Sequence, residues 1–249
     1  MSNLRSDTAC TPCEDSAPAP VDTFLLRVWW ARPDDLGPAD FFATSLLDTC
    51  ELDRLRQLRH RVDRQRYLVR HALARLILGE ALNVPASELV FDRSCSRCDA
   101  QHGKPVVLGN PLHFSMSSAG DLVVLATCSR PVGVDVEIIT RVEFPGFDGV
   151  ALTTDESALV AALPAGRGAA ARARYWTRKE ALLKASGQGL AMDPREVVAE
   201  SRSVADVDLA AGYACAVAID AGKFSPGDQL SYQLINASRI LRYRSGSGA

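Results

Sequence analysis

The sequence lacks the features that mark several large classes of protein. No apolar run reaches the roughly 20 residues that span a bilayer, and the first twenty residues contain no apolar stretch of the kind found in secretory signals. The net charge is only −2, which argues against a general role in binding nucleic acid or membrane surfaces. We therefore expect a cytoplasmic protein that binds neither nucleic acid nor membranes.

The sequence has few cysteines: the 249 residues contain seven. An odd number in a chain of this length does not indicate a disulfide framework. Two pairs, Cys10/Cys13 and Cys95/Cys98, have C-x-x-C spacing, and His102 follows the second pair. Two cysteines and a histidine at this spacing can form part of a zinc site whose fourth ligand comes from elsewhere. A loop with two reduced thiols is the alternative, and the spacing leaves both open.

Hydrophobic residues make up 47% of the sequence, which is enough to form the core of one large domain or two small ones. Apolar residues recur at steps of three and four from Asp63 to Leu82, which predicts a helix. Strand and helix signals occur on both sides of about residue 130, which suggests two halves of similar make-up. The other predicted elements are strands at 24–32, 122–127, 132–139, 213–220 and 229–235, and helices at 155–163 and 169–186.

The domain organisation follows from composition. Residues 1–22 are rich in Ser, Ala, Pro and Asp without periodicity, which predicts disorder. We predict a first subdomain at 23–130 and a second at 131–244. The final SGSGA, 245–249, is predicted to be a flexible tail.

Two carboxylates lie on one face of the predicted strand 132–139. Side chains alternate along a strand, so Asp135 and Glu137 face the same way while Val134 and Val136 face the core. Neighbouring carboxylates are costly unless a cation or a donor neutralises them, and their oxygens suit Mg²⁺. A solvated strand end is the alternative, and spacing alone does not decide between the two.

Three further residues share one face of the predicted helix 169–186. Trp176, Glu180 and Lys184 lie at i, i+4 and i+8. A carboxylate and an ammonium group one turn apart also suit an ordinary surface ion pair, which is the alternative interpretation.

Two loops and a basic segment complete the candidate features. Gly103-Lys104-Pro105 predicts a tight turn that presents the lysine, and the small hydroxyl residues of FSMSSAG at 114–120 can donate to phosphate oxygens. The segment 54–75 contains eight arginines and one acid. This basic cluster suits the phosphates of a ligand, the surface of an acidic partner protein, or a solvated helix face.

Together these segments resemble the 4′-phosphopantetheinyl transferase superfamily, of the type that serves peptide and polyketide synthases. The resemblance covers about residues 50–190. Order and spacing agree with the family pattern in five segments: DRQR (63–66), GKP (103–105), FSMSSA (114–119), GVDVE (133–137) and WTRKEALLKASGQG (176–189).

The resemblance implies an α+β fold with coenzyme A bound in the cleft between the two subdomains. It implies a holo-[acyl-carrier-protein] synthase that transfers the 4′-phosphopantetheine group of coenzyme A to a serine of an apo acyl- or peptidyl-carrier protein. The reaction would release 3′,5′-ADP and depend on Mg²⁺. A chain that contains both halves is expected to act as a monomer.

Site residues follow by position. Asp135, Glu137 and Glu180 match the family's acidic triad and would hold Mg²⁺ against the pyrophosphate of coenzyme A. Glu180 is the expected base for the carrier serine, directly or through a metal-bound water. Lys184 would stabilise charge on the phosphate or the leaving group, and Glu156 matches a position where some members carry an additional acid near the metal. The residues expected to bind coenzyme A are Lys104, Ser117, Ser118, Arg54 and Arg66.

This sequence departs from the family pattern in the segment FSMSSA. The family has histidine at the position of Ser118 and asparagine at the position of Ser115. Serine keeps a donor but loses reach and charge, so we expect coenzyme A binding to weaken by roughly 1–2 kcal/mol.

Two other classes of function stay open beside the enzyme. A non-catalytic module that binds coenzyme A or the carrier protein is suggested by Ser118. A zinc-dependent binding protein is suggested by the CSRC segment, 95–98, and the arginine cluster.

Overall fold

The computed structural model describes residues 25–36, 40–95, 98, 100, 103–109, 112–187, 192–220 and 230–246. The predicted disordered segment 1–22 lies outside the described residues. The same is true of Cys10, Cys13 and His102, of the last two residues of the segment 176–189, and of residues 247–249 of the predicted tail.

Nine strands and seven α-helices make up the described part of the chain. The strands are β1 (Arg27–Ala31), β2 (Phe91–Asp92), β3 (Val106–Val107), β4 (His113–Ala119), β5 (Leu122–Cys128), β6 (Val132–Ile138), β7 (Val204–Asp206), β8 (Tyr213–Ile219) and β9 (Gln233–Asn236). The helices are α1 (Asp40–Ser45), α2 (Thr49–Gln57), α3 (Arg61–Leu82), α4 (Phe147–Ala151), α5 (Thr154–Ala161), α6 (Gly168–Ser186) and α7 (Ser238–Gly246). Short 3₁₀ turns lie at Pro33–Leu36, Ala86–Glu88, Ile139–Val142 and Pro194–Glu196.

The strands form two main sheets. The first has the order β4-β5-β1-β9 and the second the order β6-β8-β7, while β2 and β3 form a separate ribbon. The predicted strands 122–127 and 132–139 are therefore confirmed, but they do not pair with each other. β5 pairs with β4 and β1, whereas β6 pairs with β8. All seven residues of β5 are buried, because α3 covers one face of its sheet and the second sheet covers the other.

The helix α3 confirms the prediction for 63–82. Its apolar stripe packs on β4 and β5, and α1, α2 and α7 cover its other sides. Every residue from Ala72 to Gly79 is consequently buried. Asn83 ends the helix with φ +53°, a left-handed conformation that asparagine tolerates better than most residues.

The helix α6 packs directly on β6 and β8 in the second half. The approach is closest at Gly133, where an added Cβ would lie within 2.6 Å of the backbone N of Ala185 and closer still to the carbonyl of Ala181. Only glycine allows the strand and the helix backbone to come so near. This contact sets the side chains of α6 against the carboxylates of β6.

The end of the chain returns to the first sheet. β9 pairs in parallel with β1, and α7 packs against α3 and the turn Pro33–Leu36. Asp35 anchors α7, since it accepts hydrogen bonds from Ser238 Oγ at 2.6 Å and Arg242 Nη2 at 2.7 Å. The structure thus differs from the predicted division, which assigns 131–244 to one subdomain. It also differs in the tail, since residues 245 and 246 belong to α7.

The two halves share a similar construction. Each has a long helix on one face of a sheet, and the two sheets pack together through the other faces. Val28, Leu122 and Val124 from the first sheet meet Val136 and Val217 from the second in one core. The α+β fold predicted from the sequence is confirmed. No described helix is both long enough and apolar enough to cross a membrane.

Candidate functional site

The site lies where edge strand β4 of the first sheet meets edge strand β6 of the second. The backbone N–H of Val134 donates to Ser115 Oγ at 3.1 Å, and Ser117 Oγ donates to Asp135 Oδ1 at 2.8 Å. Both serines are buried. Side-chain hydroxyls of β4 thus join the two sheets, and Ser117 contacts a carboxylate rather than standing free for a phosphate.

Asp135 is the centre of the polar contacts. Its side chain is 6% exposed, and Oδ1 also accepts from Lys184 Nζ at 2.6 Å. Its second oxygen, Oδ2, is buried and has no hydrogen-bond partner among the described residues. A buried oxygen without a partner is costly, so this atom is a place where a ligand would be stabilised.

Glu180 and Glu137 lie in the same electrostatic environment. Burial, and then the charge of Asp135, raise the pKa of Glu180, while Lys184 lowers it. Burial and Asp135 raise the pKa of Glu137 as well, with a smaller contribution from Glu180. Glu180 Oε1 is buried without a partner among the described residues. The structure therefore brings the predicted Asp135, Glu137, Glu180 and Lys184 together, and we call these four residues the acidic site.

The donor atoms of the acidic site fit a hard cation such as Mg²⁺. Mg²⁺ binds one or two carboxylates together with substrate phosphates and waters, and the two unpartnered carboxylate oxygens belong to this class of ligand. As the side chains stand, no three His, Cys, Asp or Glu of the described ranges are grouped closely enough to hold a metal ion. Lys184 neutralises Asp135 in this arrangement.

Lys104 is a structural link in this arrangement. Its Nζ donates to the carbonyl of Val132 at 2.9 Å and to that of Lys184 at 2.7 Å, so it ties the start of β6 to the end of α6. Burial, and then Lys184, lower the pKa of Lys104 to about 8. The predicted contact with a nucleotide stays a prediction.

The other predicted coenzyme A residues lie in two places. Ser118 faces away from Ser117, and its Oγ accepts from Arg70 Nη1 at 3.2 Å. Arg66 donates through Nε to the carbonyl of Gly120 at 2.8 Å, at the turn after β4. Arg54, by contrast, is exposed on α2. Its Nη1 donates to Gln57 Oε1 at 3.1 Å, and no contact among the described residues joins it to the acidic site.

Part of the arginine cluster is already neutralised. Arg75 is fully buried, and it donates through Nε to Glu51 at 2.6 Å and through Nη2 to Asp48 at 2.7 Å. Arg56 pairs with Asp53 on the surface of α2. These acids lie just before the segment 54–75, so counting charges within the segment overestimated the free positive charge.

The remaining arginines divide between two faces of α3. Arg66 and Arg70 point toward β4, whereas Arg61 and Arg64 line a cavity of about 360 Å³ on the opposite face together with Arg59. This cavity is separate from the acidic site. The basic segment is therefore not one surface aimed at one anion.

Glu156 has a different role from the predicted one. Its side chain caps α5 with Thr153 and forms an ion pair with Lys179 Nζ at 2.6 Å. Lys179 is fully buried, and it holds α5 to α6. Trp176 likewise packs edge-on against Phe147, with ring centroids 6.0 Å apart. Sequence reasoning missed the buried lysine, since nothing in the spacing distinguishes it from a surface residue.

The proposed zinc ligands are described only in part. Cys95 is half-buried and Cys98 is exposed, in a turn where the backbone N–H of Cys98 donates to the carbonyl of Cys95 at 3.3 Å. His102 lies outside the described residues. The zinc site stays a prediction.

Comparison with known proteins gives one consistent family. The family model of the 4′-phosphopantetheinyl transferase superfamily matches residues 131–218, which include β6 and α6. The 4′-phosphopantetheinyl transferase psf-1 of Bacillus pumilus is 32% identical over 135 residues, which cover 54% of this chain and 55% of the relative. A phosphopantetheinyl transferase of Thraustochytrium sp. is 33% identical over 192 residues, 70% of this chain and 63% of the relative.

The 4′-phosphopantetheinyl transferase Sfp of Bacillus subtilis is 25% identical over 145 residues, 56% of this chain and 60% of the relative. The chain therefore spans between about half and two thirds of the length of these three relatives.

The fold and the site define the class: an α+β protein of two packed sheets with a partly neutralised carboxylate site at their junction. Within that class, the chain is similar to proteins of the 4′-phosphopantetheinyl transferase superfamily, whose family model matches its second half.

Proposed function

We propose that this protein transfers the 4′-phosphopantetheine group of coenzyme A to a serine of an apo acyl- or peptidyl-carrier protein, with Mg²⁺. The observation that carries this proposal is a pair of buried carboxylate oxygens beside the ammonium group of Lys184. These oxygens, Asp135 Oδ2 and Glu180 Oε1, have no hydrogen-bond partner in the part of the chain that the structure describes. Such a site favours a cation that itself carries phosphate oxygens.

The acidic residues would hold the cation. Asp135, Glu137 and Glu180 supply carboxylate oxygens, and Ser117 keeps Asp135 oriented through its hydrogen bond to Oδ1. Bound Mg²⁺ would neutralise charge that develops on the pyrophosphate as its bond breaks. The junction of β4 and β6 thereby becomes the place where coenzyme A and the carrier serine meet.

Proton transfer falls to Glu180. The serine oxygen of the carrier would form a bond to the β-phosphorus of coenzyme A, the bond to 3′,5′-ADP would break, and the serine proton would pass to the Glu180 carboxylate. Burial raises the pKa of Glu180, which makes its carboxylate a better proton acceptor. Lys184 would offset negative charge on the phosphate or on departing 3′,5′-ADP.

The partner and setting follow from the same reaction. The macromolecular partner would be an apo carrier domain of fatty-acid, polyketide or nonribosomal peptide synthesis, and the protein would act as a cytoplasmic monomer. Lys104 and Arg66, both close to the ends of β4 and β6, are proposed to contribute to coenzyme A binding, and Arg54 only from the periphery.

Intact mass spectrometry tests the proposal. The protein is incubated with coenzyme A, Mg²⁺ and several apo carrier domains, beside Glu180→Gln and a control variant of an exposed glutamate, Glu88→Gln. We expect carriers to gain one phosphopantetheine with the native protein and with Glu88→Gln, but not with Glu180→Gln. No gain on any carrier would contradict the proposal.

Ser118 favours a second candidate, a module that binds coenzyme A without transferring it, because this position departs from the family pattern. That candidate predicts calorimetric binding of coenzyme A together with unchanged carrier mass. The acidic site argues for the enzyme, since a module that only binds has no need of a buried carboxylate as a proton acceptor.

A further inference from the structure

Arg70 on α3 is a half-buried cation that has no counter-ion among the described residues. Its Nη1 donates to Ser118 Oγ at 3.2 Å, and its Cζ lies 5.6 Å from the ring centre of Tyr67. Its Nε is buried and has no hydrogen-bond partner within the described ranges, and no carboxylate there forms an ion pair with it.

This state of Arg70 is energetically unfavourable. Charges taken out of water are normally paired or fully hydrogen-bonded, because desolvation is otherwise uncompensated. Arg75, one and a half turns further along the same helix, meets that rule with two carboxylates. Arg70 instead has a second cation, Arg66, as an electrostatic neighbour that lowers its pKa further after burial. An anion at this place would relieve both effects.

The position of Arg70 connects it to the acidic site. Ser117 and Ser118 are consecutive on edge strand β4, and one contacts Asp135 while the other contacts Arg70. The residues that contact Asp135 and Arg70 are therefore neighbours on β4, although their side chains lie on opposite faces of the strand. Ser118 stands where the family pattern has histidine, so α3 provides a positive charge next to the position where β4 has lost one.

We propose that Arg70, together with Ser118, binds the diphosphate of coenzyme A in place of the family histidine. The proposal rests on the proposed function, since it takes coenzyme A as the ligand. It revises the expectation that Ser118 weakens binding. Guanidinium presents a planar set of donors to phosphate oxygens, and Nε and Nη2 are the donors that Ser118 does not use.

Calorimetry with two probes tests the assignment. Coenzyme A and 3′-dephospho-coenzyme A share the diphosphate and differ in the 3′-phosphate. We expect Arg70→Gln to raise the Kd of both probes by about 10- to 100-fold in the presence of Mg²⁺, as for one lost charged hydrogen bond. The matched control is Arg64→Gln, an exposed arginine on the opposite face of α3, which should leave both values within about twofold.

A rescue experiment separates binding from a structural role. Ser118→His in the Arg70→Gln background should recover most of the lost affinity for both probes. Because Arg70→Gln removes a half-buried charge that has no counter-ion among the described residues, the melting temperature of this variant should not fall. If the Arg70→Gln variant does not fold, Arg70→Met replaces it in the experiment, because methionine keeps an apolar side chain of similar length.

Two results with an Arg70 variant would overturn the assignment. One is an unchanged Kd for both probes in a folded Arg70 variant. The other is a loss confined to coenzyme A, which would assign Arg70 to the 3′-phosphate. Native protein that binds neither probe would also overturn it. Native protein that binds both through Arg70 but modifies no carrier would remove the proposed function and leave this inference in place.

Discussion

Two polar clusters in this molecule use similar residues and differ in how fully those residues are paired. In the first half, Arg75 and Arg93 neutralise Glu51 and Asp48 at distances of 2.6–2.9 Å, and we call these four residues the buried ion-pair cluster. At the junction of the sheets, the acidic site has three carboxylates, one bonded ammonium group and two buried oxygens without partners in the described chain.

The difference appears in the pKa values of the two glutamates. Burial raises the pKa of Glu51, but hydrogen bonds and charges from His71 and Arg75 outweigh it and bring the value to about 2. For Glu180, burial and Asp135 dominate, and the pKa is raised. A paired cluster stabilises the fold, whereas an incompletely paired one is available for ligands and proton transfer.

The largest expected effect on stability comes from removing one carboxylate of the buried ion-pair cluster. Glu51→Gln leaves the fully buried Arg75 with one carboxylate fewer, so we expect the free energy of unfolding to fall by about 3–5 kcal/mol. Urea denaturation measures the loss. Arg56→Ala, which breaks an exposed pair with Asp53, should change the same quantity by less than about 1 kcal/mol. Equal effects of the two substitutions would contradict the comparison.

The same change of glutamate to glutamine in the acidic site, Glu180→Gln, should reduce activity and leave stability unchanged. Glu180→Gln removes a carboxylate whose buried Oε1 has no partner among the described residues, so the melting temperature should stay the same or rise. Carrier modification should fall by at least about 10²- to 10³-fold. Parallel melting curves and single-turnover rates measure both. A large drop in melting temperature with activity retained would show that Glu180 is structural.

Acid should weaken the buried ion-pair cluster by removing the charge of Glu51. The folded pKa of Glu51, about 2, lies below the ordinary 4.5, so its contribution is fully present above about pH 4.5 and is lost as pH falls toward 2. The whole contribution is about 3 kcal/mol at 1.36 kcal/mol per pKa unit. The stability difference between native protein and Glu51→Gln should therefore shrink across this window. A difference that stays constant down to pH 3 would contradict the assignment.

A substitution at the contact of β6 with α6 tests how the acidic site is held. Gly133→Ala places a methyl group against the backbone of α6 and should destabilise by about 1–3 kcal/mol, while displacing Glu180 and Lys184 from Asp135. Carrier modification should fall with it. Gly149→Ala is the matched control, because an added Cβ there meets no atom within 4 Å. If both variants behave alike, the close contact of β6 with α6 does not position the site.

The pattern of apolar residues along the sequence was enough to predict individual helices and strands. The helix at 63–82 and the strand at 132–139 were predicted nearly to their ends, because one periodicity runs through each. The side-by-side placement of Asp135 and Glu137 follows from strand alternation, and the grouping of these two residues with Glu180 and Lys184 followed from the family resemblance.

The rest depends on contacts between distant parts of the chain. That β9 returns to β1 could not be predicted, since its partner lies about 200 residues earlier. The partners of Arg75 and Lys179 were missed for the same reason: Glu51 and Glu156 belong to other helices. Arg70 was counted among eight arginines, and only its contact with Ser118 distinguishes it.

The most direct test of the central claim is whether the unpartnered oxygens of the acidic site bind a divalent cation. Mn²⁺ serves as a paramagnetic substitute for Mg²⁺, and electron paramagnetic resonance counts bound ions in the presence of coenzyme A. The account predicts one site in native protein, retained in Glu88→Gln and lost in Asp135→Asn. Unchanged Mn²⁺ binding in folded Asp135→Asn would contradict it.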